Sequence, residues 1–269
     1  MNKVEGLIID LDGTIYKGNE AIEGSKETIQ FLREKEMKFV FLSNRGNISR
    51  RMCKQKLKEM GIDVNEEEIL LTSSVAASYL KASYPKDAVW FLGGNGLKEE
   101  LELENVTLAK QPERADWLLI TLHEELTYHD LNLAFRAVRN GAKIMATNTD
   151  KIVPTADGES IDVAGIIAAI VATTEKEVDV VIGKPSSMMA TAAVDTLGTS
   201  FEQCLVIGDS LASDISLGNL HGMQSALVLT GNNTIFDCKH SEWKPDFVWD
   251  SIENLQDWFI LRENEEQKI

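Results

Sequence analysis

The chain has 269 residues, 43% of them apolar and 26% charged, which is enough to bury a core in one large or two medium domains. Its formal charge of −16 argues against nucleic acid or an anionic membrane as a partner. A small phosphorylated ligand meets the same repulsion unless a cation and local hydrogen-bond donors receive the phosphate.

From the N-terminus, Leu7-Ile8-Ile9 reads as a strand that stops at Asp10, too short for a secretory or membrane segment. A helix is predicted over Ser25–Glu36, with Ile29, Phe31 and Leu32 on its apolar face. Phe39-Val40-Phe41-Leu42 is a second strand, and a basic helix from Ile48 to Met60 ends at Gly61. The middle repeats the alternation. Val89–Leu92, Trp117–Ile120 and Lys143–Ala146 read as strands, with helices after the first, from Tyr128, and over Asp162–Thr173.

Toward the C-terminus, Val180-Val181-Ile182, Leu205-Val206-Ile207 and Ala226–Leu229 are three more strands, and Arg262–Ile269 is read as a frayed acidic end. Continuous apolar strands alternating with helices predict an α/β fold: a doubly wound, Rossmann-like parallel sheet covered on both faces. One α/β unit inserted in another fits this order as well as two sequential domains. Cys53, Cys204 and Cys238 form no ligand-like cluster, and no run approaches the roughly 20 apolar residues of a membrane helix. A cytoplasmic location is expected.

Four strands end on polar residues. Ile9 gives way to Asp10, Leu42 to Ser43, Ile182-Gly183 to Lys184, and Ile207-Gly208 to Asp209. Ligands of doubly wound sheets bind at the carboxyl ends of the strands, so four neighbouring strands would bring these groups to one crevice. Asp10 can attack phosphorus as a nucleophile. Asp10 and Asp209 offer oxygen ligands to Mg²⁺, and Lys184 adds a positive charge. Ser43 and the amides near Asn44 can donate to phosphoryl oxygens. Asp12, two residues beyond the nucleophile, suits a general acid that then serves as base toward water, and Gly13 permits the tight turn.

Asp10-Leu11-Asp12-Gly13-Thr14, Ser43, Lys184 and Gly208-Asp209-Ser210-Leu211-Ala212-Ser213-Asp214 resemble the four motifs of the haloacid dehalogenase superfamily. The resemblance implies Asp10 as nucleophile and Asp12 as acid/base. It places Mg²⁺ on Asp10, the Asp12 backbone carbonyl and Asp209, with Asp214 in support. About 28 residues separate Thr14 from Ser43, room for a flap and a helix, whereas about 140 separate Ser43 from Lys184, room for an α/β cap.

Leu126-Thr127-Tyr128, Ala146–Asp150, Val181–Ser186 and Leu229-Thr230-Gly231 resemble the NagD-like, 4-nitrophenylphosphatase-like branch over nearly the whole chain. Phe41–Arg50 and Asp162-Val163-Ala164-Gly165 are similar to the sugar-phosphate phosphatases of bacterial arabinose operons. The implied organisation is a core over residues 1–77 and 181–269 with an inserted cap over 78–180. The implied assembly is a homo-oligomer through the cap.

The branch often has a second Asn after Ser-Asn, where this chain has Arg45, a cation that either contacts phosphate or faces solvent. The polar segment from Asn148 to Gly158, with Asp150 and Asp157, is the expected specificity loop. A small phosphorylated metabolite is the expected partner. A catalytically idle binding protein on the same fold is the alternative, although it would be expected to lack the nucleophile or lysine. A dehalogenase would need neither Mg²⁺ nor Asp12. A phosphomutase of this superfamily usually carries its cap between the first two motifs.

Gly93-Gly94-Asn95-Gly96 lacks the dinucleotide-binding spacing and reads as a strand-to-helix turn. His123 and His129 read as surface or capping residues, Trp243, Trp249 and Trp258 as packing for the C-terminal segment, and Glu66-Glu67-Glu68 as a solvated helix start.

Overall fold

A computed structural model describes residues 3–155 and 158–266. In chain order the elements are β1 (Gly6–Ile9), the hairpin β2 (Tyr16–Lys17) and β3 (Glu20–Ala21), α1 (Ser25–Glu34), β4 (Lys38–Ser43), α2 (Arg50–Glu59), β5 (Ile69–Leu71) and α3 (Thr72–Ser83). There follow β6 (Val89–Leu92), α4 (Asn95–Leu103), β7 (Trp117–Ile120), α5 (Tyr128–Arg139), β8 (Lys143–Ala146), the hairpin β9 (Ile152–Thr155) and β10 (Gly158–Ile161), and α6 (Val163–Thr174). The chain continues through β11 (Val180–Val181), α7 (Ser187–Leu197), β12 (Cys204–Gly208), α8 (Ser216–His221), β13 (Gln224–Val228), α9 (Ile235–His240), β14 (Phe247–Trp249) and α10 (Asn254–Glu266).

Two compact units result. The first comprises residues 1–42, 54–69 and 190–269, the second residues 43–53 and 70–189. The larger sheet has the strand order β14-β13-β12-β1-β4-β5. Strand β1 runs parallel to both neighbours, with Ile9 opposite Ile207 on one side and Phe41 on the other. Its four residues are all buried, which is why they read as an unbroken apolar run rather than an alternating one. From β1 the chain winds outward to β4 and β5 on one side, and later to β12, β13 and β14 on the other. The order therefore reverses between β1 and β12, where a doubly wound sheet opens a crevice at its carboxyl edge.

The second unit is built on the four-stranded sheet β11-β8-β7-β6, whose paired strands are all parallel. Helices α5 and α6 supply its core. Ala134 and Val138 pack with Ile166, Ile167 and Ile170 against Leu118, Ile120 and Ile144. Helix α5 starts where the sequence places it because the Thr127 hydroxyl accepts a hydrogen bond from the Asp130 amide, and the Asp130 carboxylate accepts one from the Thr127 amide.

Val180–Val181 corrects one expectation. It is not a strand of the larger sheet but pairs with Met145–Ala146 at the edge of the smaller one. A two-residue β-branched run carries no signal for which sheet edge it joins. Of the four polar-ended strands, β1, β4 and β12 are neighbours and the fourth belongs to the other sheet. Helix α1 stops at Glu34, and Glu36 turns left-handed with φ 51°. Helix α2 starts two residues later than predicted, with the Ser49 hydroxyl accepting from the Met52 amide.

Glu66–Glu68 forms a 3₁₀ turn rather than a solvated helix start: Glu68 accepts from the Asn65 backbone and bonds Arg33. Helix α10 runs to Glu266, so the acidic end is helical that far, and residues 267–269 lie outside the described residues. The tryptophans pack as expected, Trp258 against Trp249 and Phe247, and Trp243 against Leu211, Ile215 and Leu227.

Candidate active site

Asp10 directly follows β1 and Asp209 directly follows β12, so the parallel register brings them together at the point where the strand order reverses. The Asp10 amide donates to the Ile207 carbonyl at 2.8 Å, extending the ladder by one residue and fixing the backbone beneath the carboxylate. Asp214 reaches the same place from a single π-helical turn, Leu211–Ile215, opened by Ser210, whose hydroxyl accepts from the Ser213 amide. Carboxylate oxygens of Asp10, Asp209 and Asp214 all lie within 4.8 Å of one another, and all three residues are buried.

Neighbouring groups fix these carboxylates. Asp209 Oδ2 accepts from the Asn232 amide at 2.6 Å, and Asp214 Oδ2 from the Ser210 amide at 3.1 Å. The Thr14 hydroxyl points to Asp10 Oδ2 at 3.4 Å. Gly13 and Gly231 enclose Asp209: a Cβ would fall 2.6 Å from its Oδ2 at Gly13 and 2.0 Å at Gly231. Gly13 also holds φ +85°, so both the turn after the nucleophile and the space beside Asp209 require glycine. The Thr230 hydroxyl donates to the Gly13 carbonyl at 2.5 Å, tying the β13 loop to the β1 loop.

Three buried carboxylates at this spacing raise one another's energy unless a cation lies among them, and an all-oxygen donor set is the kind a hard divalent ion takes. The donors present therefore fit such an ion. Asp12 is half-buried beside this group, with Oδ2 accepting from the Tyr16 hydroxyl at 3.1 Å.

In the second unit, Asn44 is a hub for several of the remaining candidates. Its side-chain oxygen accepts from the Lys184 amide at 2.8 Å, and its backbone carbonyl accepts from Asn148 Nδ2 at 3.0 Å and the Thr72 hydroxyl at 2.9 Å. Asn44 Nδ2 points to Asp150 Oδ2 at 3.4 Å, and the Asp150 amide donates to Asn148 Oδ1 at 3.0 Å. Lys184 and Asn148 are buried, while Asp150 is exposed.

Ser43, the last residue of β4, is buried and accepts from the Arg45 amide at 3.2 Å. Arg45 is half-buried near Asp162. Burial and the Asp150 charge push the Asp162 carboxyl up, against the Val163 amide and the Arg45 cation, which pull it down. Asp157 lies outside the described residues.

Sequence reasoning did not single out Tyr16, Asn232 or Gly231 as parts of the site. Gly231 had a signal, since Leu229-Thr230-Gly231 stands directly after a strand end. Tyr16 had none, because a lone aromatic after a turn reads as core.

Residues 7–107 match the haloacid dehalogenase-like hydrolase family, and residues 181–255 match a HAD-hydrolase-like family. The chain is 51% identical over 253 residues to the sugar-phosphatase AraL of Bacillus subtilis, covering 93% of this chain and 91% of that one. It is 32% identical over 252 residues to an acid sugar phosphatase of Staphylococcus epidermidis, covering 94% and 96%. Among solved structures, the p-nitrophenyl phosphatase from Archaeoglobus fulgidus superposes with a TM-score of 0.88 at 32% identity, covering 94% of this chain and 98% of that one. The 4-nitrophenylphosphatase from Thermotoga maritima gives 0.88 at 31%, covering 94% and 96%. With its aspartates gathered where the sheet reverses and its length matched almost end to end, the chain belongs to the haloacid dehalogenase-like hydrolases, in the branch of the sugar and 4-nitrophenyl phosphatases.

Proposed function

We propose that the protein is a Mg²⁺-dependent phosphomonoesterase that hydrolyses small sugar phosphates through an aspartyl-phosphate on Asp10. The carrying observation is the buried group Asp10, Asp209 and Asp214 at the switch point of the sheet. The substrate class rests on the likeness to sugar phosphatases.

The Asp10 carboxylate attacks phosphorus, the bond from phosphorus to the sugar oxygen breaks, and its electron pair leaves on that oxygen. Asp12 gives the leaving oxygen a proton. Water then attacks the phosphorus of the acyl phosphate. Asp12 takes the water proton, the phosphorus–Asp10 bond breaks, and phosphate departs with Asp10 restored. Asp10, Asp209, Asp214 and the Asp12 backbone carbonyl are the groups assigned to hold Mg²⁺. When bound, the ion offsets the negative charge of nucleophile and phosphate.

Ser43, Asn44 and Lys184 are assigned to the phosphoryl oxygens on motif resemblance. Arg45 is assigned to the substrate as an added cation beside the phosphate, and Asn148 and Asp150 to the rest of the substrate, supported by the hydrogen bonds that join Asn148 and Asp150 to Asn44.

No helix among the described residues is long and apolar enough to cross a membrane, and the proposed setting is the cytoplasm. The branch resemblance extends the proposal to a homo-oligomer through the cap assigned to residues 78–180, with light scattering as the test of the assembly.

Phosphate release from sugar phosphates, nucleotides, phosphoglycolate and p-nitrophenyl phosphate tests the reading, with and without Mg²⁺, on wild type and Asp10→Asn. Turnover that needs Mg²⁺ and vanishes in the variant supports it. A folded wild type that releases phosphate from nothing in the panel counts against it.

A further inference from the structure

Tyr16 is buried completely, yet its hydroxyl donates to Asp12 Oδ2 at 3.1 Å. The ring is held from several directions. It lies on the hairpin β2–β3, opposite Ala21, and its carbonyl accepts from the Gly13 amide at 2.8 Å. Its amide donates to the Leu11 carbonyl at 3.2 Å, so the segment from Leu11 to Tyr16 is closed on itself. The Lys56 ammonium of α2 stands over the face of the ring, 3.9 Å from its centroid. A cation on the ring face draws electron density from the phenol and makes the O–H a stronger donor. A buried tyrosine hydroxyl commonly needs a partner, but a backbone carbonyl would serve. Here the partner is the carboxylate two residues beyond the nucleophile.

We infer that Tyr16 is a positioning residue for Asp12, with Lys56 behind it. This rests on the phosphatase reading given above. A carboxyl group is planar, so fixing Oδ2 fixes the plane of the group and the direction of Oδ1. Proton delivery to a leaving oxygen is sensitive to that direction, since the donor must lie within hydrogen-bond reach of the atom that departs. The demand differs between substrates. An alkoxide must be protonated as it leaves, whereas 4-nitrophenolate is stable enough to leave without a proton.

The test compares kcat/KM of wild type, Tyr16→Phe and Lys56→Gln on glycerol 3-phosphate and on p-nitrophenyl phosphate. This ratio covers steps only through departure of the leaving group, when that step is irreversible. Tyr16→Phe removes one oxygen and keeps the buried ring. A loss of about ten-fold or more on glycerol 3-phosphate, against less than about three-fold on p-nitrophenyl phosphate, is the expected result, a fraction of what a general acid supplies. Lys56→Gln should shift the two substrates in the same order by a smaller factor. Equal losses on both substrates, or none on either, would overturn the inference while leaving the phosphatase reading standing. A folded wild type inactive on both would overturn the two together. Circular dichroism melts of the variants distinguish lost positioning from lost folding.

Discussion

Glu100 is fully buried, and Arg50 is what it faces: its carboxylate accepts from the Arg50 amide at 2.6 Å and from Nε at 3.0 Å. Next to this pair, Glu99 accepts from the buried Ser49 hydroxyl at 3.0 Å and from Arg51 Nε at 2.6 Å. Two adjacent glutamates of α4 thus hold three successive residues at the entry of α2, Ser49 just before it and Arg50 and Arg51 in its first turn. Truncating one side of such a pair leaves a charge without its partner, at a cost of about 3 kcal/mol or more. Glu100→Ala should therefore lower the thermal midpoint by several degrees. Arg51→Ala, on an exposed side chain, should cost less than about 1 kcal/mol. Thermal melts of the two variants give the comparison.

The Asn44 hub predicts a coupled effect. In Asn44→Asp a carboxylate would face Asp150 where an amide now does, at 3.4 Å. Under the proposed function this should raise KM for a sugar phosphate by about ten-fold, because like charges at that distance push apart. Adding Asp150→Asn should return the part of the loss that comes from Asp150, while the repulsion between the new carboxylate and the substrate phosphate stays. If the double variant is no better than Asn44→Asp alone, the two positions act independently.

Stability should vary with pH through two carboxyls of opposite sign. Burial raises the Glu68 carboxyl, but the Arg33 guanidinium, the Asn65 amide and the charge of Lys54 outweigh it and hold the group below its ordinary value. Its contribution is present above the unfolded value and is lost as pH falls through the depressed one. For Asp162, burial and Asp150 prevail and the carboxyl is raised. Its contribution is complete below the unfolded value and disappears as pH rises through the raised one. Glu68→Gln should therefore melt below wild type at pH 7, and Asp162→Asn above it. The Asp162 difference should shrink as pH falls through its raised value toward the ordinary carboxylate range, whereas the Glu68 difference should persist there and shrink only at lower pH, as its depressed value is crossed.

The core strands were legible because they are buried on both faces and therefore apolar throughout. Leu7-Ile8-Ile9 and Leu205-Val206-Ile207 could hardly be anything else, and each hands over to an aspartate. The partnership of Asp10 with Asp209 followed from that pattern plus the rule for strand ends. What escaped was whatever depends on which edge a short run joins. Val180–Val181 looked like its neighbours in composition, and only hydrogen bonding to Met145–Ala146 assigns it to the smaller sheet. The hairpin β9–β10 was hidden in a polar stretch, and Trp249 was read for its packing, not as the end of the strand Phe247–Trp249 that closes one edge. Tyr16 was invisible for a related reason: its ring belongs to the core and only its hydroxyl reaches the chemistry.

Because residues 43–53 pack with residues 70–189, the chain passes between its two units four times, at 42/43, 53/54, 69/70 and 189/190. The long segment is therefore not a cassette that can be lifted out at two cuts. A chimera that takes a relative's specificity by exchanging 70–189 alone would graft foreign α4 onto native Ser49, Arg50 and Arg51. Exchange of both segments together keeps those ion pairs within one parent. Recombination among relatives is expected to favour breakpoints that respect that pairing.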